Sequence, residues 1–228
     1  TNRGLSLIKN KKVVANYSLK DGLPSFRVNC LLTDSGGFLW CGTDLGLSRF
    51  DGEGFFTVTK EMGLPDNYIQ DLLQDKNDNL WIATVNGLAR LNESSLTTFD
   101  HVEGLNFLNI NSLMEDSEAN IWIATEGGGI FIYDNKADTI YNISKNISLS
   151  SNNVRSLAFI DKYTLIVATD KGFDKIKHNN KALSDPKFYG KDQGFSGIEC
   201  KQGALINIDG RFWFGTAGGV EIYDPSID

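Results

Sequence analysis

The sequence predicts an all-β fold made of repeated four-stranded antiparallel sheets. Its 228 residues include 23 Gly, 14 Phe, 7 Tyr and 4 Trp but only 4 Pro and 2 Met, a composition of tight turns and aromatic strands. One motif recurs five times. Its threonines, at intervals of 41, 41, 44 and 47 residues, are Thr43, Thr84, Thr125, Thr169 and Thr216. A period of this length indicates one multi-stranded unit per copy.

A tryptophan or its substitute stands three residues before each threonine. Trp40, Trp81, Trp122 and Trp213 hold this position, and Ile166 replaces the tryptophan in the fourth copy. Upstream, apolar residues alternate and end, in the first three copies, at an aspartate six residues before the tryptophan. These aspartates are Asp34, Asp75 and Asp116. The pattern predicts a strand, a turn and a second strand.

Two further strands complete each unit. After the threonine turn, a third alternating segment begins, such as Leu47–Phe50, and a fourth follows at Phe55–Val58 or Ile140–Ile143. Four strands in a period of about 40 to 50 residues are typical of a β-propeller blade, in which the tryptophan packs in the core. We therefore predict five substantial blades, preceded by two strands of a partial N-terminal blade.

The whole chain, 1–228, is expected to form a single propeller-type domain. The predicted repeats span about 1–20 (partial), 21–61, 62–102, 103–146, 147–192 and 193–228. About 21 strands leave blade faces and edges to be covered. Either the strands at Gly4–Ser18 complete the last blade, or two copies associate through open blade edges, and we favour association.

Charge and hydropathy exclude several classes of partner. Lys and Arg number 22 against 29 Asp and Glu, so the net charge is −7 and the isoelectric point about 4.9. An acidic chain has no electrostatic attraction for nucleic acid or anionic lipid, and we expect neither as a partner. The sequence also lacks an apolar run of the roughly 20 residues that a membrane-spanning helix needs.

The paired motifs resemble the two-component regulator propeller repeat. The first copy contains Gly22-Leu23-Pro24, Leu39–Thr43 and Gly46–Asp51, and the second contains Gly63-Leu64-Pro65 and Leu80–Thr84. The resemblance recurs in register over nearly the whole chain. It implies part of a seven-bladed propeller in the periplasmic sensor region of a hybrid two-component system. It further implies an oligosaccharide ligand and a kinase in another part of the full-length protein.

In a propeller, the loop before the first strand and the turn between the second and third strands emerge on one face. Their side chains combine aromatic faces with amide, carboxylate and guanidinium groups, the chemistry of sugar recognition. The candidate ligand-binding residues are Phe26, Arg27, Asp44, Asn67, Tyr68, Asn86, Phe107, Asn109, Glu126 and Asn153. The alternative is that the polar residues among them satisfy backbone groups of their own turns.

No catalytic constellation stands out, and the chain is predicted to be non-enzymatic, without cofactor or metal. The segment Asp75–Asn79 places oxygen side chains as a calcium loop does, but Leu80 and Asn86 stand where an EF-hand has Gly and Glu. A hairpin turn is the favoured interpretation. A glycosidase-like or lyase-like propeller and a pure protein-interaction propeller remain as alternative functions.

Hairpin arithmetic gives an expectation for two of the three cysteines. If Thr33 pairs with Phe38 across the first turn, Cys30 lies opposite Cys41 on the neighbouring strand. Directly opposed cysteines form strained disulfides, so two buried free thiols are favoured over a bridge.

Overall fold

The computed structural model describes residues 4–92, 95–99, 102, 104–105, 108–179, 182–184, 186–196 and 199–228. Within these residues the regular structure consists of 21 β-strands and four 3-10 helices of three residues each. No helix in this part of the chain has the length and apolar character required to span a membrane. The predicted all-β class is confirmed.

The strands form antiparallel sheets in which sequence neighbours pair. An N-terminal pair contains β1 (Leu5–Lys9) and β2 (Lys12–Tyr17). The first four-stranded sheet contains β3 (Val28–Thr33), β4 (Leu39–Thr43), β5 (Leu47–Phe50) and β6 (Phe55–Val58). The second contains β7 (Ile69–Gln74), β8 (Leu80–Thr84), β9 (Gly87–Leu91) and β10 (Leu96–Thr98).

Three more sheets follow in the second half of the chain. The third sheet contains β11 (Ile110–Glu115), β12 (Ile121–Thr125), β13 (Gly129–Asp134) and β14 (Thr139–Asn142). The fourth contains β15 (Val154–Asp161), β16 (Thr164–Thr169), β17 (Gly172–Lys177) and β18 (Lys187–Tyr189). The fifth has three strands, β19 (Cys200–Ile208), β20 (Arg211–Thr216) and β21 (Gly219–Tyr223). Each is a meander, which confirms the propeller-blade architecture.

The chain divides into two compact units, Thr1–His101 and Val102–Asp228. The first contains the N-terminal pair and two complete blades, and the second contains two complete blades and the three-stranded sheet. Apolar side chains remain exposed in the outermost strands of both units. They include Leu7, Ile8, Val13 and Val14 in the first unit, and Val220 and Ile222 in the second. Blade closure and self-association stay predictions.

One aspartate carboxylate organises each of the β3–β4, β7–β8 and β11–β12 hairpins. Asp75 accepts the backbone N–H groups of Asn77 and Asn79 through Oδ1, at 2.9 Å each, and the indole N–H of Trp81 through Oδ2 at 2.7 Å. Both oxygens are thus used within the turn, as the hairpin interpretation requires. The indole bond recurs from Trp40 to Asp34 and from Trp122 to Asp116.

The repeated threonine closes the next turn. Thr84 donates its hydroxyl to the carbonyl of Gly87 at 2.8 Å and accepts the N–H of Asn86 at 3.1 Å. The turn needs glycine at Gly46 for two reasons. Its φ is +133°, and a Cβ atom there would lie 2.8 Å from the carbonyl oxygen of Val58. Thr43, Thr169 and Thr216 donate to a glycine three residues on in the same way, and Thr125 donates to Gly129 across a turn that is one residue longer.

A bulged residue in the first strand links neighbouring blades. The pairing register shifts at the bulge, which frees one side chain to leave the sheet. Asn29 donates its amide to the carbonyl of Ile69 at 2.8 Å within the first unit, and Asn111 donates to Val154 at 2.8 Å within the second. The apolar core lies between sheets joined in this way.

The predicted opposition of Cys30 and Cys41 is wrong by one residue. Cys30 pairs with Gly42, and Cys41 pairs with Leu31. Because opposed residues share a face and successive residues alternate, the two thiols point to opposite faces of the sheet. The Cys30 sulfur occupies the space above Gly42, where an added Cβ would lie 2.3 Å from it. All three cysteines are free.

The thiols should be unreactive in the folded protein. Burial raises the pKa of Cys41 to about 12 and that of Cys200 to about 11, and burial, with the charge of Asp71, raises the pKa of Cys30. At pH 8 almost no thiolate is present to attack a thiol reagent. We expect slow labelling of the native protein and three titratable thiols after denaturation without reductant. A count of one would contradict the register.

Replacing Asp75 by Asn should destabilise the fold through the buried indole. The amide NH2 would face the N–H of the fully buried Trp81, so the free energy of unfolding should fall by about 2 kcal/mol in urea titrations. Glu53→Gln makes the same charge change in an exposed turn and should leave stability within about 0.5 kcal/mol of the original. Equal effects of the two variants would contradict the role of the carboxylate.

Candidate functional site

The loop before each first strand lies beside the turn between the second and third strands. The carbonyl of Tyr68 accepts the N–H of Val85 at 3.2 Å, and the carbonyl of Asn109 accepts the N–H of Glu126 at 2.9 Å. These bonds extend the first strand pair by one step. The two segments from which the candidate residues come therefore form one edge of each blade, which we call the loop edge.

In the first unit, the loop edge brings Arg27 and Asp44 to 3.9 Å. Arg27 is largely exposed, and Phe26 next to it has 44% of its surface exposed. On the second blade, Tyr68 is half-buried, and Val85 occupies the position that corresponds to Asp44. This part of the edge presents a cation, a carboxylate and aromatic surface.

Two candidates of the first unit have local roles. Asn67 accepts the N–H of Lys60 through its side-chain oxygen at 2.6 Å and so joins the start of a 3-10 helix, Lys60–Met62. Asn86 stands one residue after the position of Asp44 and is held through its backbone N–H by Thr84. The side-chain oxygen of Asn67 thus satisfies a backbone N–H group, which is the alternative role that the sequence analysis gives to the polar candidates.

In the second unit, the loop edges carry paired amides and carboxylates. Asn109 donates to Glu126 at 2.8 Å, and Asn153 donates to Asp170 at 2.7 Å. Arg155 adds an ion pair to Glu126 at 3.4 Å. Phe107, the remaining candidate, lies outside the described residues.

Arg155 is a residue that the candidate set missed. It occupies the bulge position at which Asn29 and Asn111 link neighbouring blades, but it turns its guanidinium to the loop edge instead. The equivalent repeat position holds an amide side chain at Asn29 and Asn111, and the arginine at position 155 departs from that pattern. The difference indicates a site only once the position is known to be a bulge.

Two aspartates at equivalent positions retain an unused oxygen. The Oδ1 atoms of Asp44 and Asp170 are buried and accept no hydrogen bond from the described residues. Burial raises the pKa of Asp170, but hydrogen bonds from Ser151 and Asn153 and the charge of Arg155 outweigh it, so the pKa lies below its ordinary value. Asp170 is therefore ionised at neutral pH. An ionised carboxylate can accept a hydrogen bond from a hydroxyl group, but it cannot act as a general acid.

Residues 63–86 match the family model described as two component regulator propeller. This segment runs from the Gly-Leu-Pro loop of the second blade to its threonine turn, and so includes the Asp75–Trp81 hydrogen bond. No curated protein sequence matches the chain.

Solved structures share the fold at low identity. The extracellular domain of the hybrid two component system BT3049 from B. thetaiotaomicron is 23% identical with a TM-score of 0.74, over 89% of this chain and 27% of that one. The extracellular domain of BT4673 from the same organism is 25% identical with a TM-score of 0.70, over 86% and 27%. Virginiamycin B lyase from Staphylococcus aureus is 13% identical with a TM-score of 0.68, over 98% and 78%.

The chain spans about a quarter of the length of the two extracellular domains. The lyase, at 13% identity, shares the fold alone. The family model confirms the predicted two-component regulator propeller repeat at residues 63–86, and the antiparallel sheets confirm the propeller-blade fold that the repeat implies.

Proposed function

We propose that the chain is part of the ligand-sensing region of a hybrid two-component system, located in the periplasm, and that it performs no catalysis itself. The match to the two-component regulator propeller repeat carries this proposal. The similarity in fold to two extracellular domains of such systems supports it. The kinase and the regulatory output would then belong to other parts of the full-length protein.

The proposed ligand is an oligosaccharide that contacts the loop edges. In the first unit, Asp44, whose side chain is 26% exposed, would accept hydrogen bonds from sugar hydroxyls beside Arg27. Arg27 supplies exposed N–H donors, and Phe26 and Tyr68 supply flat apolar faces for C–H groups. The other partner is a second copy of the chain, or the rest of the sensor, at open blade edges.

An enzyme is the second candidate, because propellers of similar fold include virginiamycin B lyase and a gluconolactonase from Xanthomonas campestris. The lowered pKa of Asp170 argues against a general acid at that position. Among the described residues, no group of three or more His, Cys, Asp or Glu side chains could hold a metal ion. A protein-interaction surface is the third candidate, and it needs no more than the repeat.

Truncation of the loop edge should weaken oligosaccharide binding without unfolding a blade. We expect Arg27→Ala and Tyr68→Ala each to cost about 1–3 kcal/mol of binding free energy in calorimetry against plant and host oligosaccharides. Lys20→Ala, an exposed cation in the same unit, is the matched control and should bind as the original does.

Product analysis of each bound sugar separates the functions. Binding without cleavage is the result expected of a sensor, and cleavage would establish the enzyme instead. If neither this chain nor the complete extracellular domain binds any sugar, the proposed ligand is wrong and an interaction surface becomes the better hypothesis.

A further inference from the structure

A cleft of about 500 Å³ opens between the first and second blades, at the end opposite the loop edges. It lies beside the β3–β4 and β7–β8 turns, and all of its lining belongs to the first unit. Its main side chains are Phe38, Trp40, Arg49, Phe56, Gln74 and Asp78. The volume falls within the range of small-molecule sites, about 300–1,000 Å³.

One substitution within the repeat accounts for the open space. In the second blade, Phe99 stacks on Trp81 with 5.5 Å between ring centroids and 17° between planes. Val58 stands at the same distance in sequence from Trp40 as Phe99 does from Trp81. Among the described residues no aromatic ring stacks on Trp40, which remains 7% exposed, whereas Trp81 is fully buried. The smaller side chain leaves unfilled the volume that a ring fills in the next copy.

Arg49 projects into this space with its hydrogen-bonding capacity unused. Its guanidinium lies 4.6 Å from the ring centroid of Phe38 and 5.9 Å from that of Trp40. Within the part of the chain that the structure describes, it makes no hydrogen bond or ion pair. Two aromatic contacts thus hold the group in place while its five N–H donors stay available to a ligand.

The opposite wall is a preformed polar network across the two blades. Ser35 donates its hydroxyl to Oδ1 of Asp78 at 2.7 Å and its backbone N–H to Gln74 at 2.8 Å, and Gln74 donates to Asp78 at 3.1 Å. The second carboxylate oxygen of Asp78 accepts no bond from the described residues. The Asp78 carboxylate that lines the cleft is therefore already held in place, and a ligand need not order it on binding.

Charge decides which polar ligand fits. Of the lining residues, Arg49 is positive while Asp34 and Asp78 are negative, so the cleft carries a net charge of −1. Both oxygens of Asp34 are used, by Phe38 N–H and the Trp40 indole. An anionic ligand would meet net repulsion, whereas a neutral ring with neighbouring hydroxyls could accept from Arg49 and donate to Asp78.

We propose that the cleft binds one neutral sugar ring, with an apolar ring face on Phe56 and Val58 and hydroxyls between Arg49 and Asp78. Phe56 is 56% exposed at the cleft, which provides the aromatic surface that sugar C–H groups contact. This inference rests on the proposed oligosaccharide function, and it adds a second contact region on the same two blades.

The test is a variant that closes the cleft with the residue of the next copy. Val58→Phe should place a ring against Trp40 as Phe99 does against Trp81, and the protein should unfold at an equal or higher urea concentration. By calorimetry with neutral trisaccharides of glucose, mannose, galactose and xylose, its affinity should fall at least about tenfold. Val14→Phe, on an exposed strand of the same unit, should bind as the original chain does.

Arg49→Gln is the second variant, since it removes the charge and leaves the cleft open. We expect this variant to bind the neutral trisaccharides about tenfold more weakly than the unmodified chain does. Because the cleft carries a net negative charge, the unmodified chain should bind trigalacturonate more weakly than neutral sugars. If Val58→Phe fails to fold, this variant decides the matter.

Unchanged affinity in either folded variant, while Arg27→Ala still weakens binding, would overturn the cleft but leave the sensor proposal in place. Preference for the uronate would overturn the choice of a neutral ring. Absence of any sugar binding by the unmodified chain and by the complete extracellular domain would remove both proposals.

Discussion

The hydrogen bond from a tryptophan indole to the aspartate six residues earlier is the interaction on which each of the first three blades depends. A buried indole N–H without an acceptor would cost about 1–3 kcal/mol, so the aspartate makes tryptophan a usable core residue. The same carboxylate closes the turn, and it therefore ties turn geometry, strand register and side-chain direction together. The fifth sheet shows the reverse case: Asn207 replaces the aspartate and accepts from Gly210, and Trp213 is left half-buried.

Because a few positions fix the blade, the remaining columns of the repeat are free to differ. The bulge position carries Asn29 or Asn111 where two blades are joined by an amide, and Arg155 where the side chain serves the loop edge. The position that holds Phe99 in the second blade holds Val58 in the first. Neither change disturbs the strand order. Differences between copies therefore point to candidate sites, whereas the shared residues report the fold.

The fold could be predicted because the motif is repeated, so that a strand or turn that is ambiguous in one copy is clear in another. The bounds of Leu47–Phe50 and Phe55–Val58, for example, follow from the sequence pattern alone. The register of the β3–β4 hairpin did not follow from the pattern. Its loop has three residues and ends at Gly37, whose φ is +84°, and a loop with an odd number of residues shifts every strand pair by one relative to the even loop that the prediction assumed. The cleft was also beyond the sequence. It depends on a space that Val58 leaves between two sheets, and their spacing is not encoded in any single motif.

A sensor must bind its ligand differently in two conformations, since a ligand with equal affinity for both shifts no equilibrium. Contact with one rigid turn cannot supply that difference. The two blades of the first unit are joined by the Asn29–Ile69 bond and by the Ser35–Gln74–Asp78 network. A sugar held between Arg49 of one blade and Asp78 of the other would sense the spacing that these bonds set. Its binding free energy would then depend on how the blades are held, which is the physical condition for a signal to leave the site.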